Sequence, residues 1–151
     1  MTPLCGASRA AQATRLLLGG ALLSAAVGCA DPATVTVWGP AGELRVRFVV
    51  DVAETAEERR TGLVGREELA TGEGLLLVFP VEGEVCISSA LVGFPIDAVF
   101  ADALGHVVAV ESGIAAGDPR VRCHAQVTLV LEVSGGAALS VTEGDVLERR
   151  P

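Results

Sequence analysis

The sequence predicts a mainly β protein: a single compact domain, β-sandwich or barrel-like, with one short helix. Three observations predict it. Seven or eight short runs of β-branched and aliphatic residues are separated by turns rich in Gly and Pro. Only one segment carries helix punctuation. Half of the 151 residues are hydrophobic but only 3% are aromatic, so Val, Leu and Ala supply the apolar mass, a composition suited to pleated, half-buried surfaces.

The elements follow in chain order. Residues 1–15 hold Arg9, Arg15 and no acid, and residues 16–28, LLLGGALLSAAVG, are apolar or small. That run is shorter than the ~20 residues needed to span a bilayer. A basic stretch followed by a short apolar one is the pattern of a secretory signal. A buried N-terminal helix would need a polar face and would avoid the Gly19–Gly20 pair. The stretch AAVGC resembles a bacterial lipobox, in which small residues precede a cysteine that receives a diacylglyceryl group; Ala26 stands where Leu is usual. The resemblance implies a signal peptide over 1–28, lipidation of Cys29, a tether over 29–33 and a β-rich domain over 34–151. Several acyl chains at ~0.8 kcal/mol per buried methylene hold a protein durably. The four tether residues after Cys29 reach about 13 Å at ~3.3 Å each, so the domain is expected close to the bilayer. Ala30 follows the cysteine, where Asp would often signal inner-membrane retention. The expected location is therefore exported and membrane-anchored, on the periplasmic face of the outer membrane if the source has two membranes.

Within the domain, TVTVW (34–38) is a strand closed by the turn GPAG. ELRVRFVVDVA (43–53) alternates, with Leu44, Val46, Phe48, Val50 and Val52 on one face. TAEERRTGL then changes period. Thr55 and Glu58 make a capping box, acids precede Arg59 and Arg60 in accord with the helix dipole, and Gly62 ends the helix near Leu63. EELATGEG is a loop. LLLVF (75–79), the turn PVEG, EVCISSALV (84–92), PIDAVFAD (95–102) and HVVAVES (106–112) continue the strands; GIAAGDP is a loop. AQVTLVLEVS (125–134) is a strand with Val127, Leu129, Leu131 and Val133 on one face, and SVTEGDVLE gives a turn and a last strand.

Charge and cysteine usage narrow the function classes. All 11 basic residues are Arg, and the chain after residue 28 carries nine of them against 19 acids, a net −10. That balance argues against a phosphate-backbone partner, which needs a basic footprint, so no nucleic acid is expected. It also opposes flat adhesion to anionic lipid. With Cys5 in the signal and Cys29 acylated, Cys86 and Cys123 remain. In an exported domain two cysteines suggest one disulfide, closing a 37-residue loop; two free buried thiols are the other reading.

From about residue 48 to 147 the chain resembles the bacterial and archaeal family known as domain of unknown function 192. The resemblance rests on TAEERRTGLVGREEL, GLLLVF, PIDAVFAD followed by Gly105, LVLEV and the terminal Gly144-Asp145, in that order and spacing. It implies a compact β-rich domain with one short helix and no established activity. Where the family commonly carries F-W-M-K-N-T, this chain has Ile87, Ser88, Ser89, Ala90, Leu91 and Val92, so a ligand surface built there in relatives is expected to be lost or altered.

Asp97 is the leading site candidate, since it sits between Ile96 and Ala98 in an apolar run where an unpaired carboxylate is costly. The family resemblance makes Arg66 its partner candidate, in a structural ion pair or a ligand site. Cys123 and His124 are sequence neighbours and point to opposite faces of a strand, which opposes a Cys–His catalytic pair. His106, Asp97, Asp102 and His124 lack compact metal-ligand spacing, and Ser88-Ser89 lacks nucleophile-elbow glycines. No catalytic residue, metal or cofactor is expected. The function expected is a non-catalytic envelope lipoprotein whose β-domain binds an envelope partner or small ligand at the membrane surface. The alternative is an envelope enzyme with an Asp97/Arg66-centred pocket.

Overall fold

The computed structural model describes residues 32–151, so Cys29 and the expected signal peptide lie outside the described residues. Seven strands and one helix follow in the order β1 (Ala33–Trp38), β2 (Leu44–Ala53), α1 (Ala56–Thr61), β3 (Glu73–Ile87), β4 (Ile96–Ala101), β5 (Val107–Ile114), β6 (Arg122–Ser134) and β7 (Val146–Arg150). They make one mixed sheet in the order β5-β4-β6-β3-β2-β1-β7. All neighbours are antiparallel except β2 and β3, which run parallel through the α1 crossover.

The sheet curls into a half-barrel, the barrel-like form of the expected fold rather than two stacked sheets. At one end its edges meet. His106 bridges Val146, the Val107 N–H bonds the Asp145 carbonyl at 2.8 Å, and the Leu147 N–H bonds the Gly105 carbonyl at 2.7 Å. Gly105 is required there. Its φ is +86°, and a Cβ would stand 2.3 Å from the Leu147 carbonyl oxygen.

Alternation along the strands sorts the core onto two faces. On the inner face Val35, Val37, Phe48, Val50, Leu76, Val99, Leu131 and Leu147 pack together. On the other, Leu75, Leu77, Ile96, Ala98, Phe100 and Val130 pack beneath Leu63, just beyond α1. Strand β4, residues 74–77 of β3 and residues 130–133 of β6 are therefore buried on both sides, which is why PIDAVFAD and GLLLVF read as near-continuous apolar runs.

Three local expectations change. PVEG does not end a strand: β3 continues from Glu73 to Ile87 with a bulge, and the ladder to β6 steps from Val78↔Leu129 to Gly83↔Val127. Pro80, with no N–H to donate, sits in that interruption. Opposite the bulge the phase of β6 slips, so Val127 packs with Val130 rather than with Leu131 and Val133. Finally, β3 stops at Ile87, and residues 88–92 turn away from the sheet. The Ser89 hydroxyl donates to the carbonyls of Ala115 and Asp118 at 3.3 Å each, and the Gly117 N–H donates to the Val92 carbonyl at 2.9 Å.

Candidate functional site

Asp97 and Arg66 do not meet. Along β4, Asp97 alternates with Ile96 and Ala98 and so projects on the inner face, whereas Arg66 follows α1 on the opposite face. The fully buried Asp97 carboxylate is satisfied by backbone. One oxygen accepts the Gly113 N–H at 2.8 Å, and the other accepts the N–H groups of Gly136 and Ala138 at 2.9 Å each. It thereby ties β4 to β5 and to the turn after β6. Arg66 instead pairs with Asp51 on β2 at 2.7 Å, with both side chains exposed. The expected Asp97/Arg66 ion pair and the pocket centred on it are thus corrected by the two-faced sheet.

Cys86 and Cys123 are bonded, with an S–S distance of 2.04 Å. They are direct partners in the β3–β6 ladder, so register alone brings their α-carbons to 4.1 Å. Disulfides of this kind belong to oxidising compartments. His124 turns from Cys123 to the Glu111 carboxylate at 2.9 Å and tilts against the Phe100 ring. The Arg122 and Arg120 guanidiniums close on Asp118 at 2.9 and 2.7 Å, and these hydrogen bonds, Arg120 first, hold its carboxyl far below the usual carboxylate range. His106 donates its backbone N–H to Asp102 at 2.8 Å and holds its ring 3.2 Å from the same carboxylate, as part of the turn.

The cavity with buried ionisable chemistry lies elsewhere, beneath α1. The helix begins as the capping box requires: the Thr55 hydroxyl accepts the Glu58 N–H at 3.2 Å, and the Glu58 carboxylate accepts the Thr55 N–H at 2.9 Å. None of the six helical residues is buried. Arg59 straps the helix to the sheet instead, donating to the Val78 carbonyl at 2.8 Å and to the Glu54 carbonyl, with its guanidinium 5.1 Å from the centre of the Phe79 ring. Leu63 inserts beyond the helix end. A helix held off the sheet by one arginine leaves a cleft of about 470 Å³.

Leu77 and Phe79 of β3 floor that cleft; Leu63 and Val64 close one side, and Ile87, Ser88 and Val92 the other. Arg60 lies along it, and Cys86 borders it. Thus part of the stretch that replaces F-W-M-K-N-T lines this cleft. Into it projects Glu132 of β6, only 7% exposed, between strand neighbours Leu75 and Ala98. Its carboxyl has no hydrogen-bond partner among the described residues. Burial pushes it up to about 7, and the Arg66 charge opposes that rise only in part.

Glu132 is a site residue that the sequence patterns do not single out. The signal was present in LVLEVS: an acidic residue at a position whose strand neighbours are apolar on both faces. Asp97 drew attention by the same criterion, but its carboxylate is fully bonded and that of Glu132 is not.

The comparisons agree with this architecture. The chain is similar to a crystal structure from Sinorhizobium meliloti 1021 described as a "putative transcription regulator", with a TM-score of 0.73, 23% identity, and coverage of 81% of this chain and 98% of that one. It is also similar to a protein of unknown function from Novosphingobium aromaticivorans DSM 12444, with a TM-score of 0.70, 27% identity, and coverage of 76% and 83%. The first likeness shows the fold alone. No curated protein matches the chain. Residues 37–149 match DUF192, described as uncharacterized ACR, and the chain therefore belongs to that family.

Proposed function

We propose that this protein is a cell-envelope lipoprotein, anchored through Cys29, whose β-domain is a non-catalytic binding module with its ligand cleft beneath α1. The lipobox-like AAVGC and the bonded Cys86–Cys123 pair support export. The observation that carries the binding reading is Glu132: its side chain is only 7% exposed, its carboxyl has no hydrogen-bond partner among the described residues, and it faces a cleft that mixes apolar side chains with arginines. The cleft's volume of about 470 Å³ lies within the range of small-ligand sites. The Asp97-centred enzyme has no such support, because both Asp97 oxygens are held by backbone N–H groups.

Two measurements test the proposal. The intact mass of membrane-extracted protein should show residues 1–28 removed and acyl mass on Cys29; a retained Met1 without acyl mass would overturn the anchor. Titration with n-hexanol, followed by side-chain NMR, should shift Leu63, Leu77, Phe79 and Val92 selectively. Uniform absence of shifts would overturn the binding reading.

A further inference from the structure

We propose that the cleft beneath α1 takes a small apolar ligand bearing a primary ammonium group, with the Glu132 carboxylate as its counter-ion. This deepens, and rests on, the reading of the domain as a binding module. Charged groups reach the surroundings of Glu132 from α1 and from the segment after it. From the segment after α1, Arg66 faces it, but that guanidinium is bonded to Asp51 at 2.7 Å. From α1, Arg59 is committed to two backbone carbonyls and to the Phe79 ring, and Arg60 lies along the cleft without bonding Glu132. From β3 and β4 the neighbours are Leu75, Leu77 and Ala98, which carry no charge, and Cys86 is locked in its disulfide and does not titrate.

Glu132 therefore feels the charge of Arg66, shares its cleft with Arg59 and Arg60, and takes a hydrogen bond from none of them. A ligand that brings its own cation supplies what the fold withholds. An ammonium against the carboxylate makes a charge-assisted hydrogen bond, roughly twice as strong as a neutral one. The walls of Leu63, Leu77, Phe79, Ile87 and Val92 take up the attached carbon chain. At about 470 Å³ the cleft lies toward the small end of ligand pockets, which favours a short alkyl or aryl amine over a lipid or a peptide segment.

Binding is then coupled to a proton. The ammonium form needs the ionised carboxylate, so the ligand draws the proton from Glu132 and releases it to solvent; no bond other than that O–H is broken. With half-ionisation of Glu132 at about 7, uptake strengthens as pH rises through neutrality.

The test is calorimetric titration of the full chain in detergent with n-hexylamine, n-hexanol and hexanoate. n-Hexylamine is expected to bind at least about tenfold more tightly than n-hexanol near pH 8, and to weaken about thirtyfold on going to about pH 5.5. Hexanoate is expected to bind more weakly than either. Proton release measured from the buffer dependence of the heat should accompany amine binding and vanish for the alcohol. Glu132→Gln should erase the preference for amine while leaving n-hexanol binding in place. Equal affinity of wild type for amine and alcohol, or an amine affinity indifferent to pH, overturns the proposal and leaves the binding module standing. Failure of all three probes overturns both.

Discussion

Ala138 donates its backbone N–H to the carboxylate of Asp97 at 2.9 Å across 41 residues of sequence, fastening the turn after β6 to the middle of β4. The same carboxylate oxygen also takes the Gly136 N–H, and its twin takes that of Gly113. Asp97→Ala would leave three N–H groups without this acceptor. Each buried, unsatisfied group costs about 1–3 kcal/mol, so the substitution is expected to lower stability by roughly 3–5 kcal/mol. Asp97→Asn, which keeps one acceptor oxygen but turns an amide N–H₂ toward a donor, should cost somewhat less, about 2–4 kcal/mol. Urea unfolding measures both. A loss below about 1 kcal/mol for either would contradict an architectural role. Because Asp97 lies on the face opposite the cleft, the folded fraction of either variant should bind n-hexanol as wild type does.

Arg66→Ala provides a contrast. Its ion pair with Asp51 joins two exposed side chains, and such pairs are worth about 0–1 kcal/mol. Stability should change within that range, whereas removal of a buried Asp97 partner would have cost about 3–5 kcal/mol. The same substitution removes the positive charge that opposes the rise at Glu132, so the Glu132 midpoint should move higher still. An unchanged or lowered midpoint would show that the Arg66 field does not reach the cleft.

Reduction of the Cys86–Cys123 bond, or its replacement by a Cys86→Ser/Cys123→Ser pair, frees a loop with a sequence separation of 37 residues. The chain-entropy model values that constraint at about 3–4 kcal/mol. Unfolding curves with and without reductant should differ by that amount in wild type and coincide in the double variant. Coincidence in wild type, with the thiols verified as reduced, would refute a stabilising role.

Glu132 imposes a particular pH dependence. Its carboxyl titrates near the ordinary 4.5 in the unfolded chain and at about 7 in the folded one. Below 4.5 both states hold the proton. From 4.5 to 7 the unfolded chain releases it while the folded chain keeps it, so stability falls as pH rises. Above 7 the folded protein bears the full cost of a buried charge, about 3 kcal/mol from the displacement of the midpoint. Glu132→Gln should flatten that contribution and be more stable than wild type above neutrality by roughly 2–3 kcal/mol. An unaltered pH profile in the variant would assign the slope to other groups.

Much of the fold could be read from the chain because its rules are local. The capping box of Thr55 and Glu58, the alternation of β2 and the bonded cysteines depend on neighbours in sequence or on simple counting. The continuation of β3 through Pro80 could not be read that way. A bulge keeps a strand in its sheet despite a missing donor, and it becomes visible only against the ladder of β6. The site was harder for the same reason. Asp97 and Glu132 have near-identical apolar settings in sequence, and Asp97↔Val133 and Ala98↔Glu132 are adjacent rungs of one ladder. Their difference is the face of the sheet. One side offers the backbone N–H groups of Gly113, Gly136 and Ala138, and the other offers Leu77, Phe79 and a helix held at a distance. Neither partner set is encoded near the carboxylate it meets.

The most direct measurement is the carboxyl ¹³C shift of Glu132 followed through a pH titration of the ligand-free protein. A midpoint at about 7 is expected for a partnerless carboxyl buried beneath α1. A midpoint at the ordinary 4.5 would show that Glu132 is solvated or already paired, and the case for a ligand-seeking cleft would be lost.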